Sequence, residues 1–302
     1  MRVIITGGTG LIGTALIAAL LPHSHEVIVV SRNHQHATQW LKCQGLAGVQ
    51  VVQWDGASAQ GWGHLITPES AIVNLAGATP AHWRWTTAYR RLILESRLHA
   101  GEGIMEAIAR FGPPAVLLQA SASGYYGNRD DTILTETSAM GKGFRAEVCQ
   151  KWEAATANRD IRRCVLRTGI VLAKRAGAFP PLRLFAQLLG RQLGSGQQWI
   201  PWVHLDDVIA IMIFLLMNSE LVGPFNLCAP EPITNRDLMR TMQHIMNHPG
   251  IFPLPKPILR MCLGEMATAV LDSQRMIPQR LMEHQFPFTY SQVSSALQQL
   301  LC

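Results

Sequence analysis

The sequence has few charged residues and lacks the signatures of several protein classes. Charged side chains make up 15% of the 302 residues and hydrophobic ones 48%, which suits a large buried core and argues against general disorder. There is no Cys-x-x-Cys pair, no His-Glu-x-x-His motif and no block of Lys and Arg. We therefore expect no disulfide framework, no metal site and no nucleic-acid partner.

Signals for export or membrane insertion are also lacking. Met1 and Arg2 are followed at once by a short apolar run and a glycine cluster, which leaves no room for a signal peptide. The longest apolar run, Val208 to Met217, is too short to span a bilayer, and Asp206 and Asp207 before it favour a buried helix with an acidic N-terminus. We expect a cytoplasmic protein without membrane contact.

The cysteines lie far apart, and we expect them to be reduced, buried thiols. They are Cys43, Cys149, Cys164, Cys228, Cys262 and Cys302. The formal net charge is +6 and the sequence pI about 9.2, which suits an anionic small molecule.

Short apolar runs alternate with longer helical stretches through the first two-thirds of the chain. Nearly continuous apolar strands are typical of a parallel sheet that is covered on both faces. The predicted strands are Val3–Thr6, Val27–Val30, Val49–Gln53, Ala71–Leu75, Val116–Ala120 and Cys164–Leu166, and the predicted helices are Leu11–Leu21, Thr86–Phe111 and Phe144–Asn158. The pattern predicts an α/β fold with a Rossmann-type, doubly wound parallel sheet.

The pattern loosens from Gly177 to Trp202, and a Pro-marked segment near residue 253 introduces a helical tail. We expect a nucleotide-binding core at 1–175, with returning segments at about 200–230. Insertions of a substrate region would follow at 176–250, and a smaller C-terminal domain, mostly helical or α/β, at 251–302.

A glycine triplet directly follows the first predicted strand and opens the first helix. Gly7 permits a tight turn, Gly10 lets the backbone approach a pyrophosphate, and Gly13 allows close helix–strand packing. The first N–H groups of the helix then face the phosphates. This placement predicts a dinucleotide site, with Thr9, Leu11 and Ile12 in the same loop.

The end of the second strand indicates which dinucleotide is bound. A site for NAD usually carries Asp or Glu there, to bond the ribose 2′-hydroxyl. This chain has Ser31 and Arg32 instead. A guanidinium and a hydroxyl can bond a 2′-phosphate, which a carboxylate would repel, so the sequence favours NADP(H) over NAD(H).

The chain resembles the extended short-chain dehydrogenase/reductases of the nucleotide-sugar epimerase type. More narrowly, it is similar to their atypical "epimerase family" subgroup, the bacterial YfcH-like proteins and their eukaryotic relatives. The resemblance covers nearly the whole chain. It is carried by Thr6–Gly13, Ser31-Arg32, Asn74–Gly77, Glu95–Arg97, Ser121–Gly127, Lys151–Glu153, Arg167–Leu172, Gly194–Gln197, Trp202–Asp207, Leu263–Glu265 and Pro278–Leu281.

The resemblance implies further cofactor contacts. Leu75, Ala76 and Gly77 would pass under the cofactor, and Arg97 would reach one of its phosphates. Val171 would line the nicotinamide side, and Lys151 would bond the nicotinamide ribose hydroxyls. Dimers built from two long helices are common in that superfamily, so the resemblance is also compatible with a homodimer.

The catalytic pattern of that superfamily is broken in this chain. Its active members use Ser or Thr together with a Tyr-x-x-x-Lys pair, in which the Lys cation lowers the pKa of the phenol. Ser121 and Lys151 stand in the expected places, but Glu147 stands where the Tyr would be. Three interpretations stay open: a proton donated by Tyr125 or Tyr126, a different proton transfer through Glu147, or NADP(H) binding without efficient turnover.

The segment from Gly194 to Trp199, followed by Trp202 and His204, combines flexible backbone with amide and aromatic groups, as in a substrate-cleft wall or a structural loop. With Arg183 and Arg191 nearby in sequence, it suits an anionic or sugar-like substrate. We therefore expect an NADP(H)-dependent oxidoreductase or epimerase-like enzyme acting on a carbonyl or sugar-like compound. The alternative is an NADP(H)-binding sensor or regulatory protein.

Overall fold

The computed structural model describes residues 1–23, 25–80, 84–188 and 190–301, so Cys302 lies outside the described residues. In these ranges the strands are β1 (Arg2–Thr6), β2 (Glu26–Ser31), β3 (Gln50–Gln53), β4 (Ala71–Asn74), β5 (Val116–Ala122), β6 (Ile133–Leu134), β7 (Arg163–Thr168), β8 (Ile170–Ala173), β9 (Ala176–Gly177), β10 (Gly190–Leu193), β11 (Trp199–Ile200), β12 (Trp202–His204), β13 (Gly223–Leu227), β14 (Ile233–Thr234), β15 (Phe252–Leu254) and β16 (Arg275–Met276). The helices are α1 (Leu11–Leu20), α2 (His34–Cys43), α3 (Thr87–Phe111), α4 (Phe144–Ala154), α5 (Phe179–Leu188), α6 (Leu205–Met217), α7 (Asn235–Ile245), α8 (Lys256–Leu263), α9 (Thr268–Leu271), α10 (Gln279–Glu283) and α11 (Val293–Leu301).

The central element is a seven-stranded sheet in the order β13-β7-β5-β4-β1-β2-β3, with every neighbouring pair parallel. The chain moves outward from β1 to β2 and β3, then returns to β4 on the other side of β1. The strand order therefore reverses between β1 and β4, and such a reversal opens a crevice at the carboxyl ends of the strands. The predicted Rossmann-type sheet is confirmed.

The two faces of the sheet have separate hydrophobic cores. Val3 and Ile5 of β1 pack in one core, where α1 and α6 contribute Leu16 and Met212. Ile4, which points to the opposite face, packs in the other core with Ile104 of α3. Because helices cover both faces, the strands are apolar at consecutive positions, which explains the uninterrupted runs in the sequence.

Two of the helices that the sequence pattern missed, α2 and α5, have weak sequence signals. In α2 only Ala37 and Leu41 are buried, so the apolar periodicity is weak. Asn33 is the N-cap residue of this helix, and its side chain accepts the His36 N–H at 2.9 Å. The loosened segment from Gly177 contains α5, with Pro180 in its first turn, where the missing N–H has no intrahelical partner. The segment in which the sequence pattern loosens therefore contains a regular helix.

The C-terminal segment is tied by buried polar groups to the turn after β5 and to α6. The Gln274 amide donates to the carbonyls of Ser123 and Gly127 at 2.8 and 3.0 Å. Asp207, which is 1% exposed in the first turn of α6, accepts the backbone N–H groups of Thr289 and Tyr290 at 2.9 and 3.0 Å. The division into 1–175, 176–250 and 251–302 stays a prediction.

Two further sequence expectations concern single residues. Cys43 is exposed, so the expectation of a buried thiol is wrong there, whereas Cys149, Cys164 and Cys228 are buried. The acidic N-terminus expected for α6 is present, with Asp206 and Asp207 in its first turn, and the residue that caps the helix is His204, whose Nδ1 accepts the N–H of Asp206 at 3.2 Å. In the described ranges, no helix combines the length and apolarity needed to cross a membrane.

Substituting Asp207→Ala should lower the free energy of unfolding by about 2 kcal/mol, because two backbone N–H groups lose a charged acceptor. Asp206→Ala, the neighbouring and largely exposed carboxylate, is the control and should change stability much less. Urea unfolding monitored by circular dichroism measures both. Equal effects of the two substitutions would contradict the anchoring role of Asp207.

Candidate functional site

The glycine loop brings the ends of β1 and β4 into backbone contact. Gly7 has φ +68°, and a Cβ atom added to it would lie 2.7 Å from the Leu75 carbonyl oxygen. A Cβ on Gly13 would lie 2.5 Å from the Gly7 oxygen, so this glycine lets α1 pack directly on the turn. The loop is closed by the Gly10 N–H, which donates to the Gly7 oxygen at 3.0 Å.

The N-terminus of α1 is left open for a ligand. Gly10 occupies the N-cap position and supplies no side-chain hydrogen bond to the first turn, and no acidic residue lies in that turn. The N–H groups at the start of α1 therefore keep their donor capacity and the positive end of the helix dipole. Backbone of this kind binds phosphate.

Buried polar side chains connect the carboxyl ends of β1, β4 and β5. The Thr6 hydroxyl donates to Asn74 Oδ1 at 2.7 Å, and the Asn74 amide donates to Gln119 Oε1 at 2.9 Å. The N–H groups of Leu75 and Ala76 both donate to the Thr6 hydroxyl at 3.1 Å. The sequence predicted no role for the Thr6 or Gln119 side chain, although each is a polar residue near the end of an apolar strand.

The end of β2 places Arg32 beside β3. Its carbonyl oxygen accepts the Gln53 amide at 2.8 Å, and its side-chain stem lies against Gly56, where an added Cβ would be 2.9 Å from Arg32 Cδ. Arg32 is exposed, and Ser31 before it is partly buried. The stem is thus confined at the carboxyl end of the sheet while its charged head is accessible to a ligand.

A groove of about 250 Å³ runs from the glycine loop to the ends of β5 and β7. Seven residues predicted to bind cofactor or act in catalysis line it: Gly7, Gly10, Leu11, Ile12, Gly13, Leu75 and Ser121. The wall also contains residues that sequence reasoning did not select: Ala120, Trp152, Leu166, Thr168, Val208 and Met212. Thr9, Ser31, Arg32, Ala76, Gly77, Arg97, Val171 and Lys151 are not part of this wall.

Arg97 of α3 is a buried cation close to the end of β4. It is 7% exposed, and its Nη1 donates to the carbonyls of Ala78 and Ile93 at 3.1 and 2.7 Å. Its guanidinium lies against Gly77 and over the Trp152 ring, 4.6 Å from the centroid. Burial lowers the pKa of Arg97, and no described carboxylate acts on it. An anion at this position would satisfy the remaining N–H groups.

Ser121 is part of a charged network behind the groove. Its hydroxyl donates to Glu153 Oε1 at 2.7 Å, and Arg167 binds both oxygens of the same carboxylate at 2.9 and 3.0 Å. Burial alone would lower the pKa of Arg167, but the hydrogen bonds and charge of Glu153 and Tyr126 raise it. Because a carboxylate only accepts hydrogen bonds, Ser121 donates its hydroxyl proton to Glu153. The lone pairs of the Ser121 oxygen can then accept a hydrogen bond from a ligand.

The two tyrosines that follow β5 have different environments. Tyr126 is fully buried, donates to Asn226 Oδ1 at 2.7 Å and accepts from Arg167 at 3.1 Å, and burial raises its pKa to about 12. Tyr125 is partly buried and its ring lies 3.5 Å from the Arg167 guanidinium carbon. Its hydroxyl makes no hydrogen bond to the described residues. Tyr125 therefore remains the available phenol of the two.

The structure does not bring Glu147 and Lys151 to the groove. Both are exposed, whereas the buried side of α4 carries Ala146, Val148, Cys149 and Trp152. At 100° per residue, Glu147 and Lys151 lie on the side of α4 opposite to Cys149. Arg145 and Cys149 are the i, i+4 pair that contacts the turn after β5: an added Cβ on Gly124 would be 3.2 Å from Arg145 Cβ and 3.5 Å from the Cys149 sulfur.

A larger cavity of about 900 Å³ lies beside the turn that follows β5, among residues from four parts of the chain. Ser195, Gln197, Gln198 and Trp199 line it, so this part of the predicted substrate segment does border a cavity. Trp202 and His204 are instead buried, with the Trp202 indole bonded to the Glu231 carbonyl and His204 stacked 4.0 Å from Tyr290. The rest of the wall is Asn128, Asp130, Asp131, Thr234, Lys256, Arg260, Gly264, Glu265, Ala267, Thr268, Leu271, Asp272 and Ser273.

Comparison with known families agrees with this geometry. The model of the NAD dependent epimerase/dehydratase family matches residues 3–228, about three-quarters of the chain. The chain belongs to this family. A second model, a domain of unknown function (DUF1731), matches residues 254–300.

Individual relatives cover nearly the whole chain. The chloroplastic SDR39U1 homologue of Arabidopsis thaliana is 34% identical over 100% of this chain and 87% of its own length, and epimerase family protein Mb2239 of Mycobacterium bovis is 36% identical over 98% and 96%. The crystal structure of human epimerase family protein SDR39U1 with NADPH superposes with a TM-score of 0.87 at 30% identity, covering 99% of both chains. The UDP-glucose 4-epimerase of Thermus thermophilus, with NAD, shares the fold at 20% identity and a TM-score of 0.77.

Substituting Gly13→Ala should weaken NADPH binding by more than about tenfold, because the new methyl group would displace the Gly7 turn from the phosphates. Gly48→Ala is the matched control, since an added Cβ there meets no atom within 4 Å. Calorimetric titration measures the affinity and thermal unfolding measures the fold. Unchanged affinity in folded Gly13→Ala protein would contradict the role assigned to the loop.

Proposed function

We propose that the protein binds NADP(H) across the carboxyl edge of the sheet and uses it to oxidise or reduce a carbonyl or sugar-like compound. The observation that carries the proposal is the open N-terminus of α1 above the Gly7–Leu75 contact. Backbone donors there suit the pyrophosphate, and Arg97 adds a buried cation without a carboxylate partner among the described residues. The NADPH bound to the human relative supports the same assignment.

The choice of NADP(H) over NAD(H) depends on the end of β2. Arg32 is held by the Gly56 contact and by the Gln53 bond to its carbonyl, and its exposed guanidinium can pair with a 2′-phosphate. No acidic residue occupies positions 31 to 33, where a carboxylate would bind a 2′-hydroxyl and repel that phosphate.

Arg32→Ala should weaken NADPH binding by about tenfold or more and leave NADH binding nearly unchanged, because only NADPH carries the 2′-phosphate. Arg159→Ala, in the exposed turn after α4, is the control for the loss of one positive charge. Fluorescence titration with each coenzyme provides the comparison. Equal losses for the two coenzymes in Arg32→Ala would refute the 2′-phosphate assignment.

The residues at the nicotinamide end would orient the reactants. A bound nicotinamide supplies or accepts a hydride. Ser121, whose proton is committed to Glu153, would accept a hydrogen bond from a substrate hydroxyl or from the carboxamide. Tyr126 keeps its proton across the neutral range, so proton exchange with substrate would fall to the available phenol of Tyr125.

The cavity of about 900 Å³ suits a polar, hydroxyl-rich substrate. Its wall offers amides from Gln197 and Gln198, carboxylates such as Asp130 and Asp272, and the Trp199 ring. Lys256 and Arg260 give it two cations for an anionic group. This mixture of amides, charges and one aromatic ring is what recognition of a sugar-like molecule needs.

The second candidate is an NADP(H)-binding sensor or regulator. One observation favours it: α4 presents Arg145 and Cys149, rather than a Tyr and Lys pair, to the turn after β5. A protein that retained the cofactor groove without that pair would bind NADP(H) and report its level through a partner.

Turnover separates the two candidates. We expect NADPH oxidation with at least one compound from a panel of carbonyls and nucleotide sugars. Tyr125→Phe should lower kcat by about 10²-fold, as is typical for loss of a proton-transfer group. Ser121→Ala should also lower kcat, because it removes the acceptor that orients the reactants. Lys151→Ala, on the exposed side of α4, should keep turnover. Tight NADPH binding with no turnover on any compound would favour the sensor.

A further inference from the structure

Trp152 has a buried indole N–H without an acceptor among the described residues. Every other described tryptophan donates its N–H: Trp54 and Trp62 to the Ser58 carbonyl, Trp85 to Pro80, Trp202 to Glu231, Trp199 to Asp131 and Trp40 to Thr14. Trp152 is 7% exposed and lines the cofactor groove. Buried donors without partners are rare because they cost free energy.

The neighbouring Arg97 is short of acceptors as well. Its guanidinium covers the Trp152 ring, and the acceptors that it has are two backbone carbonyls. Two adjacent groups, Trp152 in the groove wall and Arg97 against its ring, therefore have unused donor capacity, and no described side chain supplies the oxygen atoms. A ligand rich in oxygen acceptors would satisfy both.

The position of Trp152 indicates which part of a dinucleotide would reach it. The groove begins at the glycine loop and continues to Ser121, near the end of β5, and to Thr168, the last residue of β7. With the pyrophosphate on the glycine loop and the adenosine toward Arg32, the second nucleotide extends toward Ser121, where Trp152 lines the wall. Lys151, expected from the sequence to bond the nicotinamide ribose, lies on another side of α4.

We propose that the Trp152 indole N–H donates a hydrogen bond to an oxygen of the nicotinamide mononucleotide half of the cofactor, either a ribose hydroxyl or its phosphate. The N–H then takes the binding role that the family resemblance implies for Lys151. Arg97, stacked on the ring, fixes the indole plane and adds positive charge beside the same half. This inference rests on the proposed function, because it needs NADP(H) in the groove.

The test uses Trp152→Phe, which keeps an aromatic ring under Arg97 and removes the N–H. Because this donor is unpaired without ligand, the free protein should unfold at the same temperature as wild type or slightly higher, while NADPH affinity falls about tenfold. Trp85→Phe is the control: it is buried, and its N–H is bonded to Pro80 at 2.9 Å, so it should lose stability and keep NADPH affinity.

The two halves of the cofactor locate the effect. Reduced nicotinamide mononucleotide should bind Trp152→Phe more weakly than wild type, whereas adenosine 2′,5′-bisphosphate should bind both equally. In wild-type protein, the mononucleotide should also shift an indole resonance in the ¹⁵N–¹H spectrum, a measurement that needs no variant. Equal affinity of wild type and Trp152→Phe for the mononucleotide, or no indole shift, would overturn the inference.

The outcomes also separate this inference from the proposed function. Absence of NADPH binding by wild type would refute both. Wild-type binding with an unaffected Trp152→Phe variant would refute only the role of Trp152.

Discussion

The site depends on one close approach, between the backbone of Gly7 and the carbonyl of Leu75. Only glycine fits at the first position, since φ is +68° and an added Cβ would be 2.7 Å from the oxygen. The contact holds the loop at the point where the strand order reverses. As a result, the first N–H groups of α1 point into the crevice and not into protein. The Thr6 hydroxyl strengthens the contact, because it accepts hydrogen bonds from the N–H groups of Leu75 and Ala76, which follow β4.

Some charged groups around this loop have a partner of opposite charge within the protein and others do not. This difference indicates which of them are available to bind a ligand. Arg167 and Glu153 are joined by two hydrogen bonds, and Glu153 also accepts a hydrogen bond from Ser121. This ion pair therefore positions Ser121 and does not itself bind a ligand. Arg97 is equally buried but has only carbonyls and an aromatic ring around it. Burial of a cation without a nearby anion lowers the stability of the fold. Such an arrangement is typical of sites where a ligand supplies the missing negative charge.

The fold could be predicted from the sequence because its signals are local. Apolar runs located six strands of the sheet, and the strand–glycine–helix order located the phosphate loop. The seventh strand, Gly223–Leu227, contains Gly, Pro and Asn and gave no such signal. On α4, the structure buries Cys149 and Trp152 and leaves the predicted pair Glu147 and Lys151 exposed. Which side of the helix faces the sheet depends on contacts with distant residues, such as that of Glu153 with Arg167, and the spacing of Glu147 and Lys151 contains no information about them.

The central claim is that this backbone loop binds a nicotinamide dinucleotide, and calorimetric titration of the unmodified protein with NADPH and NADH tests it most directly. The account predicts one binding site per chain, with NADPH bound more tightly than NADH. Absence of binding heat with both coenzymes at several temperatures would contradict it.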